Sequence, residues 1–146
     1  MLLAMLAIAS GCDYSLDSVE GHELGLPTSS LFGYNTAREL MVVLSDMPDL
    51  CPLMSDTESP PYGDYWVLSV WTLSAYETDD PMSADGYVGI LDSGEDLEVD
   101  GRGTIELKEL EESYAKGIVE MTFGNDEVRA RFEAEPCDAP FFQGLE

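Results

Sequence analysis

The 146-residue chain carries 30 acidic residues against 6 basic ones, a formal charge of -24, and three cysteines. A surface of that sign has no basic patch with which to displace counterions from a phosphate backbone, so nucleic acid is not an expected partner. The acidic excess reads as a solvated, self-repelling coat rather than a dedicated cation site, and 45% hydrophobic residues leave enough apolar side chains for a core.

Taken in chain order, the first feature is LLAMLAIAS, residues 2 to 10, an unbroken apolar and small-residue run. It falls well short of the ~20 residues that a membrane-spanning helix needs, and its length suits a secretory leader. Ser10-Gly11-Cys12 follows, then an abrupt change to DYSLDSVEGHE. All charged residues of the chain lie after Cys12. This order of apolar run, small pair and cysteine resembles the lipobox of bacterial lipoproteins. The resemblance implies cleavage before Cys12, a lipid on its thiol, and a location in the cell envelope facing periplasm or exterior. The alternative is that the first residues form a buried strand or helix.

With Cys12 assigned to a lipid, Cys51 and Cys137 remain as an even pair in an exported, oxidising setting, where a disulfide is the default. A bridge closing so long a loop is worth about 4 kcal/mol in the chain-entropy account. A zinc site is a poor rival, because His22 is the sole histidine and no Cys-x-x-Cys spacing occurs.

Residues 12–30 are rich in Gly, Ser, Asp and Glu and read as a flexible acidic tether between residues 1–11, the leader, and a globular domain over 31–146. His22 then reads as a solvated linker residue. In RELMVVLS, residues 38 to 45, Thr36 and Glu39 have helix-capping spacing, but Val42 and Val43 favour a strand, which is the expectation adopted. Asp46 and Pro48 then open a single helical turn over PDLCPLM.

A Pro-rich loop over 55–64 precedes YWVLSVWTLSAY, residues 65–76, a long strand apolar on both faces. Trp66, Leu68 and Val70 point one way and Val67, Trp71 and Leu73 the other, so this strand is central or lines a cavity. A loop over 77–86 leads to a short strand over 87–92. An acidic turn over 93–103 follows, and then a strand from Thr104 in which Ile105 and Leu107 share a face. The last segment is a hairpin around a four-residue turn, Gly124 to Glu127. It pairs Phe123 with Val128, Met121 with Ala130 and Val119 with Phe132 on one buried face, and Glu120 with Arg131 on the other.

Residues 103 to 137, with GTIEL at their start and FGNDEVRARFEAEPC at their end, resemble the closing segment of a group of uncharacterised bacterial lipoproteins. VVLSDMPDLC resembles an earlier segment of the same group. The resemblance implies a β-rich envelope domain containing both cysteines, and it carries no active site.

Motifs for chemistry are sparse. Asp96, Glu98 and Asp100 have the spacing of the first ligands of a calcium loop, but Leu107 stands where the bidentate Glu belongs, so a plain acidic turn is expected. No G-x-S-x-G elbow or phosphate-cradling G-x-x-x-x-G-K occurs, and accidental carboxylate pairs are certain among so many acids. The expectation is an all-β antiparallel sandwich or flattened barrel with one short helical turn and no catalytic or cofactor role. Its function would be that of a lipid-anchored envelope protein, structural or protein-binding, attached to the membrane through its N-terminal lipid. The alternative is a small-ligand carrier whose barrel cavity is lined by Trp66 and Trp71. Exposed aromatics such as Tyr62, Tyr65, Phe141 and Phe142 gathered in one patch would favour a protein partner.

Overall fold

Alternating apolar residues dominate the second half of the chain, and in the computed structural model they become the inner face of a closed barrel. The structure describes residues 14–16, 18–34, 38–51, 64–73 and 80–137. The strands are β1 (Tyr14–Leu16), β2 (Ser18–Val19), β3 (His22–Glu23), β4 (Ser29–Tyr34), β5 (Leu40–Ser45), β6 (Tyr65–Thr72), β7 (Met82–Asp92), β8 (Glu95–Glu111), β9 (Tyr114–Phe123) and β10 (Asp126–Pro136).

Strands β4 to β10 pair in chain order, and β10 returns to β4, so seven strands close on themselves. The closing contact is parallel and short. It matches Glu135 with Leu31 and Pro136 with Phe32, and the Cys137 N–H donates to the Phe32 carbonyl at 2.9 Å. Elsewhere the barrel pairing is antiparallel. Where β10 diverges from β4, β1 pairs with it instead, matching Tyr14 with Ala130 and Leu16 with Val128.

A barrel this small is filled by its own side chains. Phe32, Val42, Leu44, Trp66, Leu68, Val70, Val88, Ile105, Leu107, Val119, Met121, Phe123, Val128 and Phe132 all belong to one buried cluster. Interior glycines let strands come close enough for this. At Gly101 a Cβ would collide with the Phe123 ring, and at Gly103 it would overlap the Glu120 carbonyl on β9. The large residues of one strand therefore occupy the room left by the missing side chains of another.

A second, smaller cluster lies on the outside. Leu31, Met41, Val43, Leu50 and Cys137 form it, with Met47, Cys51, Val67 and Trp71 partly buried against it. β5 is accordingly buried on both faces, since Leu40, Val42 and Leu44 face the barrel interior while Met41 and Val43 face this outer cluster. The turn at 48–49 runs into helical residues Leu50 and Cys51, which lay Leu50 on the sheet. Cys51 is bonded to Cys137, with S–S 2.02 Å and Cα atoms 5.8 Å apart. The expected all-β antiparallel fold is thus present, as a barrel rather than a sandwich, together with the expected cysteine pair and the strand at β5.

Several expectations are corrected. The acidic tether over 12–30 does not hold from Tyr14 onward: β1 pairs with β10, and Val19 and Leu24 are buried in the main cluster. β2 and β3 form a small hairpin whose turn, Glu20-Gly21, has both residues at positive φ, the geometry of a two-residue hairpin turn. Two apolar residues among polar ones suffice to seat such a hairpin, and composition averages conceal them.

The loop over 77–86 gives way to strand at Met82, and the acidic turn over 93–103 shrinks to Ser93-Gly94, both at positive φ. Residues 95–103 are strand because β7 pairs with them residue for residue, from Asp92–Glu95 to Met82–Ile105. In the last hairpin the turn has two residues rather than four. Asp126 faces Phe123, Val128 faces Met121, Ala130 faces Val119 and Arg129 faces Glu120. Shifting a register by two keeps every side chain on its face, so the buried set is the one expected and only the partners change.

Candidate functional site

Barrel mouths collect ligands because strand ends and loops converge there around a rigid rim. One mouth lies where β6 begins and β7 ends, and the β2–β3 hairpin covers it. The hairpin is held from two sides. The Glu20 N–H donates to Asp126 Oδ2 at 3.1 Å, and His22 Nδ1 lies 3.0 Å from Asp92 Oδ2. His22 is therefore half-buried and paired with a carboxylate of the β7–β8 turn, not a solvated linker residue.

An open cleft of about 470 Å³ lies under this hairpin, lined by Gly21, His22 and Glu23 above and by Asp46, Asp64, Tyr65, Trp66, Ile90, Leu91 and Asp92 below. Three of its carboxylates accept hydrogen bonds, two of them from backbone N–H groups. Asp46 Oδ1 accepts the Trp66 N–H at 3.0 Å, Asp64 Oδ1 accepts the Ser93 N–H at 2.8 Å, and Asp92 Oδ1 accepts the Ser93 hydroxyl at 3.2 Å. Burial, with the Asp96 charge adding to it, pushes the Tyr65 phenol above its usual pKa, which favours the neutral donor. Trp66 is 3% exposed, and its indole Nε1 has no hydrogen-bond partner among the described residues.

Trp71 lies on the opposite face of the same strand. It packs on the outer cluster, with its ring centroid 6.2 Å from that of Tyr87 on β7. Around it runs an open groove that includes Leu73, Asp85 and Arg102. Leu73 is 77% exposed, and Arg102 Nε lies 3.6 Å from Asp85 Oδ1. Trp66 and Trp71 therefore do not line one cavity: Trp66 packs inside the barrel, and Trp71 faces outward. Burial, with the Glu98 charge adding to it, also raises the Tyr87 pKa.

The calcium-like segment is extended. Asp96, Glu98 and Asp100 occupy alternate positions of β8 opposite Leu91, Gly89 and Tyr87, so they stand in a row along a strand rather than converging around a loop. Among the described residues no group of His, Cys, Asp and Glu is placed to hold a metal ion. Cys12, Tyr62, Phe141 and Phe142 lie outside the described residues.

Comparisons of the chain with protein-family models, with curated proteins and with solved structures found no match. The mouth cleft joins His22 to Asp92, 70 positions away. No local pattern in the sequence signals a pairing that depends on how the barrel closes.

Proposed function

We propose that this chain is a lipid-anchored protein of the bacterial cell envelope whose role is to bind another envelope protein rather than to catalyse a reaction. The observation that carries the reading is the bond between Cys51 and Cys137. It leaves Cys12 as the remaining cysteine, placed where an apolar run ends and the charged chain begins. A bridged pair also accords with an oxidising compartment. The lipobox resemblance at LAIASGC and the resemblance of the closing hairpin to bacterial lipoproteins support the same location.

The packed interior argues against a carrier that holds its cargo in the barrel. The outward pair of Trp71 and Tyr87, beside the exposed Leu73, supports docking through the outer face of β6 and β7. Aromatic residues of this kind anchor protein interfaces well, because two torsions fix a large contact area.

The anchor is tested by growing bacteria that express the chain on an alkyne-bearing fatty acid and reading label on the purified protein. Label on the wild type and none on Cys12→Ser is the expected result. Equal label on both, or none on either, overturns the anchor.

A further inference from the structure

We propose that the edge of β8 over residues 95–100 takes up an added antiparallel strand from another protein, an extended segment with Lys or Arg at alternate positions. This is a second surface beyond the outer face of β6 and β7, and it stands whether or not Cys12 carries a lipid. β8 pairs with β7 from Glu95 to Ile105, whereas β9 joins it only from Arg102 onward. No other described strand pairs with residues 95–100. The two-residue turn makes Asp92 and Glu95 a hydrogen-bonded pair, and bonded pairs alternate from there. Glu95, Leu97 and Val99 therefore turn their N–H and C=O groups to β7, while Asp96, Glu98 and Asp100 turn theirs away from it. The same outward row continues at Arg102 and Thr104, where β9 meets it with Thr122 and Glu120. An edge left open in this way is a template for one more strand. It is also regular, since the β7 pairing has no register shift and no proline interrupts residues 95–100.

The side chains of this edge specify the partner. Leu97 and Val99 pack against the main cluster, so Asp96, Glu98 and Asp100 stand exposed on the outer face. Opposite them on β7 are Leu91, Gly89 and Tyr87, none of them a cation. Charged residues on an edge ordinarily keep other strands away. Here all three have one sign, so they repel a second copy, whose own acids would lie opposite, and accept a strand of the other sign. The chain does not supply that strand itself: its only basic residues at alternate positions, Arg129 and Arg131, are already within β10. In an antiparallel pair the residue opposite each acid shares its face and exchanges backbone hydrogen bonds with it. Lys or Arg at every second position of the partner thus meets the three carboxylates, and small or apolar residues between them lie inward beside Leu97 and Val99.

The test uses the whole chain and follows amide hydrogen exchange along β8 by NMR, with and without the acetylated, amidated peptide Lys-Val-Lys-Val-Lys. Exchange at Asp96, Glu98 and Asp100 is expected to slow at least about tenfold, and exchange at Leu97 and Val99, already bonded to β7, to change less. Two control peptides keep the charge. One carries a backbone N-methyl group on each lysine, which blocks its pairing edge, and the other has the order Lys-Lys-Lys-Val-Val. Neither is expected to slow exchange at the three acids. Slowing by either control equal to that by the alternating peptide overturns the proposal, because charge alone then accounts for it. Glu98→Lys is expected to weaken binding at least about tenfold, and unchanged binding by that variant overturns the proposal too. If the variant does not fold, the wild-type measurement decides, and exchange unslowed at up to about 10 mM alternating peptide overturns the proposal.

Discussion

Trp66 and Trp71 stand five positions apart on β6 and face opposite sides of the sheet, one walled into the barrel and the other set against the outer cluster. Truncating Trp66 to Ala empties a large part of the interior and is expected to cost about 3–5 kcal/mol of stability in urea unfolding. Trp71→Ala is expected to cost roughly half as much or less, because that ring is only partly covered. Equal costs would mean that the two faces are packed alike. A pH dependence belongs to Tyr87. Its phenol pKa is raised by burial in the folded chain, so the neutral form is favoured there. The contribution of that difference to stability is complete below the unfolded value near 10 and is lost as pH climbs through the higher folded value. Wild type is therefore expected to lose stability above about pH 10 more steeply than Tyr87→Phe, measured as unfolding midpoints at matched ionic strength. Parallel curves would contradict this. Both tryptophans could be assigned to faces from the sequence, since alternation along a strand needs no tertiary knowledge. What could not be read was that the outer face is covered at one end by Leu50 and the Cys51–Cys137 bridge, and open near Leu73.

Among the elements, β8 shows most plainly where local reading fails. Its first half, EDLEVDGRG, is acidic and glycine-rich, the composition of a turn, yet it is strand because β7 pairs with it residue for residue, β9 joining only from Arg102 onward. Its glycines are there for close approach. Gly103→Ala places a Cβ against the Glu120 carbonyl, a clash with backbone that no rotamer relieves. We expect it to lose about 3 kcal/mol or more, or to fail to fold, by thermal unfolding followed in the far ultraviolet. A melting curve matching that of wild type would show that β9 can retreat. The β9–β10 hairpin is the opposite case. Its buried face was legible from alternation alone, and only the loop length, two residues instead of four, was not, since both lengths bury the same side chains. The Cys51–Cys137 bridge spans 86 positions and ties the end of β10 to the segment after β5. Replacing both cysteines by Ser is expected to lower stability by about 2–5 kcal/mol in denaturant titration. No loss would mean that the parallel contact of β10 with β4 holds the closure unaided.

At the scale of the whole molecule, the first strand laid on the barrel begins close to the proposed site of lipidation. β1 starts at Tyr14, two residues after Cys12, and two residues reach no further than about 7 Å. A lipid on Cys12 would hold the folded domain close to the bilayer surface, without the long tether that the composition of residues 12–30 suggests. The formal charge of -24 all lies after Cys12, so a domain lipidated there would stand off from anionic headgroups by repulsion within a Debye length of about 8 Å. Strand content and a bridged pair followed from patterning and cysteine arithmetic. The seating of residues 14–24 did not, because it depends on a gap between β10 and β4 that exists only once the barrel has formed. The most direct test of the account is the intact mass of the protein extracted from membranes, measured with and without reduction before alkylation. The account predicts the mass of residues 12 to 146 plus acyl groups, with two alkylatable thiols appearing only after reduction. An unacylated chain that still carries residues 1 to 11, with three thiols free before reduction, would contradict both the anchor and the bridge.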